Sequence, residues 1–196
     1  MIGAHIIFAA YGFWLPNDPR GSGSDFVGSS ELFKAGPPTK TTEIASIAHL
    51  PHDHGHRLAT KELLQRRPVR FSDQQARDIG EAIGECTQKA GVSVWACAIM
   101  PDHIHLVVGV GRLHPRDLAI RLKGHATTRL IETGRHPFLA EVSPGKRPEK
   151  CFARGEWTAF LDTPDDVIRA IQYVEQNPIK DGLPPQKWSF VVAPVF

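Results

Sequence analysis

The chain has 196 residues, of which 41% are hydrophobic and 22% charged, with a formal net charge of +2. That length is ordinary for one domain and tight for two. The composition excludes a disordered or collagen-like chain, and no apolar run is long enough to span a membrane. Cys86, Cys97 and Cys151 spell neither a disulfide framework nor a redox pair, and the opening MIGAH lacks the basic region of a signal peptide. A cytoplasmic protein with reduced thiols is expected, Cys86 and Cys97 being small core residues.

Residues 4–11 (AHIIFAAY) form a short apolar run that predicts a buried strand. The stretch 12–42 is rich in Pro, Gly and Ser and begins GFWLPNDPRGSGSDF, which predicts an ordered but irregular excursion pinned by Trp14, Leu15 and Phe26. In PHDHGHR, His52, His54 and His56 would align if extended, but Pro51, Asp53 and Gly55 favour a loop and surface roles over a zinc site. Ser72 and Gln75 form a capping box for a helix to about Ala90, with Ile79, Ile83 and Cys86 on one stripe and Gly91 as its stop. A strand over 92–100, a Pro101-Asp102 turn and a strand over 103–110 should pair antiparallel.

Pro115 opens a second helix with Leu118, Leu122, Ala126 and Leu130 on its buried side, ending at Gly134. Residues 157–161 suggest a short strand or an extended packing segment. Asp162 or Thr163 then caps a third helix, entered by Pro164, whose buried side is Val167, Ile168, Ile171 and Val174. Pro178 should stop it near Asn177. The order predicts an α+β fold, with helices packed mainly on one face of an antiparallel sheet. One domain spans 1–196, with a long irregular insertion around 12–70.

Charge is uneven. Residues 112–150 carry net +5, against −1 for 1–111 and −2 for 151–196. Such a basic middle is either a phosphate-tracking surface or a solvated helix face.

The chemistry-bearing residues are few. His103 and His105, two apart on a strand, place both imidazoles on one face, where they form either a half-site for a divalent ion or an exposed polar pair. Tyr173 and Asn177 are four apart, about 6 Å along a helix axis and nearly on one face, with Gln176 close by. The pair is either reactive or a packing tyrosine beside a cap.

Taken together, PDHIHLVV, the basic segment LKGHATTRL and YVEQNP resemble the single-tyrosine HUH transposases, specifically the REP-associated tyrosine transposase group. The opening AYGFWLPNDPRGS, the stretch VSVWACAIMPDHIHLVV and the ending EWTAFLDTPDDVIRAIQYVEQNPIKDGLPPQKWSFV resemble a subgroup of that family, and Asp102 stands where an Asn is often found. The resemblance implies a ferredoxin-like or RRM-like sheet and a metal-dependent transposase of single-stranded DNA, often acting near palindromic hairpins. It implies that His103 and His105 bind Mg²⁺ or Mn²⁺, that Asn177 completes the metal site, and that Tyr173 is the nucleophile, forming a 5′-phosphotyrosine and later rejoining strands.

Within that reading Lys123 is the first choice for phosphate positioning, because LKGHAT matches the family's basic helix, with Arg121, Arg129 and Arg116 beside it. Arg20 either meets DNA or stabilises its turn. Trp14 and Trp188 either stack on bases or, preferentially, pack. A phenol is mostly protonated at neutral pH, so a proton acceptor is needed that the sequence does not name. Two other classes compete: a domesticated or inactive DNA-hairpin-binding protein, and a metal phosphodiesterase whose nucleophile is water. A nucleoid-associated monomer or homodimer is expected.

Overall fold

The computed structural model describes residues 1–41, 51–143 and 145–196; the part of the 12–70 segment at 42–50 lies outside the described residues. The elements are β1 (Gly3–Ala10), α1 (Ser30–Lys34), α2 (His54–Glu62), α3 (Asp73–Ala90), β2 (Val94–Ile99), β3 (His103–Gly109), α4 (Pro115–Glu132), β4 (Phe152–Leu161) and α5 (Pro164–Lys180), with one 3-10 turn at Leu139–Glu141. The four strands form one sheet in the order β2-β3-β1-β4, and every neighbouring pair is antiparallel.

This is a split β-α-β arrangement with two crossovers, β1-α3-β2 and β3-α4-β4. Right-handed crossovers place both helices on the same face. Accordingly Ile6 and Phe8 of β1, Ile104 and Leu106 of β3, Ile79 and Ile83 of α3, and Leu118, Leu122 and Leu130 of α4 share one core. All nine are essentially inaccessible, and each such side chain contributes roughly 1.5–3 kcal/mol through burial. Because strand side chains alternate, His103, His105 and Val107 are turned to the other face. There α5 lays Val167, Ala170 and Val174 against Ala96, Ala98 and Val107. The α+β fold with an antiparallel sheet is the one expected, with two long helices on one face and α5 alone on the other.

The local signals act as read in several places. Ser72 and Gln75 make the reciprocal capping box, and Gly91 ends α3 in the left-handed conformation, φ 64°. Thr163 is the cap of α5, bonded reciprocally with Asp166.

Four expectations need correction, the first being Phe26, which is exposed and does not pin the 12–42 excursion, whereas Leu15 is buried. The helix α5 does not stop near Asn177: it runs through a buried Pro178 to Lys180. Proline removes one donor, but the turn continues because the Asp181 N–H donates to the Asn177 carbonyl at 3.2 Å. Ile168 is exposed, and the small Ala170 takes the buried position beside β2. The 12–70 segment is not irregular throughout, since α1 and α2 lie within it. Its PNDPR turn is built on Asp18, whose buried carboxylate accepts from Arg20 Nε and Nη2 at 2.8 and 2.9 Å.

Candidate active site

Three imidazoles cluster on the face of the sheet opposite α3 and α4. The β1–β3 register sets His5 across from Val107 and Ile7 across from His105, so His5 and His105 are diagonal neighbours. Their rings stack at 5.3 Å, and His5 Nε2 lies 3.0 Å from His105 Nδ1. His103 and His105 meet edge to face at 4.7 Å. Helix α5 brings Tyr173 onto the same cluster, with its ring 5.8 Å from His105 and 5.9 Å from His5. Tyr173 is 40% exposed, so part of its side chain is open to solvent. Asn177 follows one turn later, and its side-chain nitrogen is buried without a hydrogen-bond partner.

Hydrogen bonds orient both rings of the pair. His103 Nδ1 donates to Asp102 Oδ1 at 2.8 Å, so Nε2 is the ring nitrogen left for another partner. A neutral His105 donating from Nδ1 to His5 Nε2 keeps its own Nε2 lone pair as well. Burial drives both inner imidazoles towards neutrality: His5 is lowered to about 4, and His105 is held well below its ordinary value by burial and then by the charges of His103 and His5. For Asp102, burial opposes ionisation. The His103 hydrogen bond and the positive charges of His103, Arg70 and Lys61 outweigh it and keep the carboxyl below the usual range.

This donor set fits a divalent ion. His103 and His105 are each anchored through Nδ1, as metal-bound histidines are through one ring nitrogen, and each has Nε2 to offer an ion. Asn177 stands on the adjacent helix, and its amide oxygen, not the buried and unpartnered nitrogen, is the atom that could join them. Among the described residues no group of three His, Cys, Asp or Glu side chains is arranged to hold a metal. An ion here would therefore need oxygen from the Asn177 amide and from the substrate.

The basic helix is placed differently from the sequence expectation. Lys123 is 9% exposed, and its ammonium donates to the carbonyls of Ala153, Arg154 and Gly155 at 3.1, 3.3 and 2.8 Å. All three of its protons are committed to β4, so it has none left for a phosphate. Arg129 is ion-paired with Glu85 and Glu81 of α3. Arg116 and Arg121 are exposed, but α4 lies behind the sheet from the histidines.

Trp14 donates to the Gly21 carbonyl and sits 3.8 Å under the Arg20 guanidinium, so both residues stabilise the turn. Trp188 packs against Gly80, where an added Cβ would collide with its ring. His54 and His56 open α2 under the Asp53 cap, so the three imidazoles of PHDHGHR are not aligned as an extended row. The cysteines are all buried and free.

Sequence reasoning missed His5, Phe13 and Lys61. Phe13 stacks on His103 at 4.8 Å and 12°, and the Lys61 ammonium lies 5.9 Å from the Phe13 ring. The one available signal for His5 was a polar residue in the apolar run AHIIF. Its meaning depends on strand register, which no local pattern supplies.

Among solved structures, a REP-associated tyrosine transposase bound to a REP hairpin is similar with a TM-score of 0.48 and 11% identity, covering 96% of this chain and 74% of that one. A protein from Deinococcus radiodurans R1, provisionally assigned as a transposase, is similar with a TM-score of 0.41 and 15% identity, covering 89% of each chain. Comparison with curated proteins gives no match. The family model described as "Transposase IS200 like" matches residues 62–140. Tyr173 and Asn177 lie beyond that match, whereas α3, His103, His105 and α4 fall within the residues it covers.

Proposed function

We propose that the chain is a transposase that cuts and rejoins single-stranded DNA, with Tyr173 as the attacking group. The observation that carries this reading is the contact of Tyr173, from the last helix, with His105, whose ring meets His103, within one chain. A phosphodiester over the histidine pair would meet the phenolic oxygen. Attack on phosphorus forms the bond from the phenolic oxygen and breaks the bond to the 3′ oxygen, the proton lost by the phenol being balanced by the one that the 3′ oxygen gains. The products are a 5′-phosphotyrosine and a free 3′-hydroxyl. The reverse attack by a 3′-hydroxyl restores the phenol and joins the strands, with no energy lost to hydrolysis.

Mg²⁺ or Mn²⁺, when bound by His103, His105 and the Asn177 amide, supplies polarisation of a non-bridging phosphate oxygen. The chain's own residues do the rest. Asp102 and His5 fix the two imidazoles, α5 holds Tyr173 and Asn177 at one end of the same face, and the partial exposure of Tyr173 admits the strand. One chain supplies both pair and tyrosine, which supports a monomer as the active unit. The hairpin carried by the similar REP-associated structure suggests the substrate's shape. Among the described residues no helix is long and apolar enough to cross a membrane.

The test uses an end-labelled, hairpin-bearing single strand with Mn²⁺, analysed on denaturing gels. Wild type is expected to give a protein–DNA adduct and Tyr173→Phe none. An adduct of equal yield in Tyr173→Phe would remove the tyrosine from this role. Cleavage with no adduct in either protein would identify water as the nucleophile, and binding without cleavage would leave only a hairpin-binding module.

A further inference from the structure

The strand-transfer reading leaves unexplained a group of cations beside His103. Arg57 and Lys61 are one turn apart on α2 and share a face. Arg20, Arg57, Asp18 and Asp102 all act electrostatically on Lys61, and Arg70 binds Asp102 from beside it. Four cations therefore face two carboxylates, and both carboxylates are already engaged. Asp18 holds Arg20 at 2.8 Å and Arg57 at 3.4 Å, while Asp102 holds Arg70 and His103, each at 2.8 Å.

Lys61 is the group left over. Among the described residues its ammonium has no ion pair and no hydrogen bond, and its recorded contact is the Phe13 ring at 5.9 Å. The side chain is half-buried, and burial and then the Arg57 charge lower its pKa. Holding an ammonium partly out of water beside a guanidinium costs free energy, which an incoming anion would recover. The Phe13 ring, stacked on His103, links this charge directly to the candidate active site.

We propose that Lys61 binds a backbone phosphate of the DNA strand flanking the scissile one, on the His103 side of the site, while Tyr173 stands on the His105 side. The inference rests on the strand-transfer reading for the identity of the strand. It adds a contact just outside the 62–140 family match, and it replaces Lys123 as the phosphate-binding lysine.

The experiment measures binding of fluorescein-labelled oligo(dT) by anisotropy across a salt series in EDTA. Each phosphate contact to a single strand contributes about 0.7 to the slope of log K against log salt. Lys61→Met is expected to bind several-fold more weakly with a slope shallower by about 0.7, and Lys61→Arg to keep the wild-type slope. Unchanged affinity and slope in Lys61→Met would overturn the proposal, and so would a loss in Lys61→Arg equal to that in Lys61→Met. Should Lys61→Met fail to fold by thermal melting, Lys61→Gln is read by the same criteria. The adduct gel with Tyr173→Phe is scored separately. A shallower slope without an adduct would sink the covalent mechanism and keep the lysine contact, and an adduct with an unchanged slope would do the reverse.

Discussion

His5 shows how one buried side chain can govern the chemistry of another. It reaches no solvent-facing position itself, yet its Nε2 stands 3.0 Å from His105 Nδ1 and fixes which nitrogen of His105 looks outward. On the other member of the pair Asp102 does the same from the preceding residue. Removing such an outer partner commonly lowers metal affinity about 10–100-fold, because the ligand ring loses both its tautomer and its orientation. His5→Ala should therefore bind Mn²⁺ at least roughly tenfold more weakly than wild type in a titration followed by electron paramagnetic resonance. His5→Gln, whose amide oxygen can accept from His105 Nδ1, should recover part of the loss. Equal Mn²⁺ affinity in His5→Ala and wild type would remove His5 from the site.

Among the elements, α4 carries the clearest lesson about lysine. A Lys in a basic helix reads as a surface charge, but position 123 falls on the stripe of Leu122, Ala126 and Leu130 that faces the sheet. Its stem crosses the core edge, with Nζ 5.7 Å from the Phe8 ring, and its head ties down three consecutive carbonyls of β4. Lys123→Ala should lower folding stability by about 2 kcal/mol through unsatisfied carbonyls and lost packing, seen in denaturant melts. Its oligo(dT) salt slope should match wild type. A stable variant with a shallower slope would return Lys123 to the DNA.

Local patterns were legible where the cause is local: the Ser72–Gln75 box, the Gly91 stop, Pro115 at the first turn, and the odd-numbered face that holds both His103 and His105. What the sequence could not show came from long-range pairing. The β1–β3 register brings in His5, the fold of 12–41 lays Phe13 on His103, and the packing of α5 admits Pro178 within the helix.

At the scale of the molecule the sheet separates two jobs. The face under α3 and α4 is the main core, and the face that carries His5, His103, His105 and Tyr173 is where chemistry can occur. Helix α5 covers the β2–β3 half of that second face, while Trp157 of β4, edge-on to His5 at 5.7 Å, is only partly covered. A single strand running over this half would pass Lys61 beside the Phe13–His103 stack and Tyr173 beside His105. On that path it would not touch the outer side of α4, which carries Arg116 and Arg121. The double substitution Arg116→Ala with Arg121→Ala should thus leave oligo(dT) affinity and salt slope as in wild type, and adduct yield at saturating DNA unchanged, under conditions where Lys61→Met alters the first two. A slope shallower by about 1.4, two contacts' worth, would put the strand on α4 instead and make the helix, not the cation group beside His103, the phosphate track.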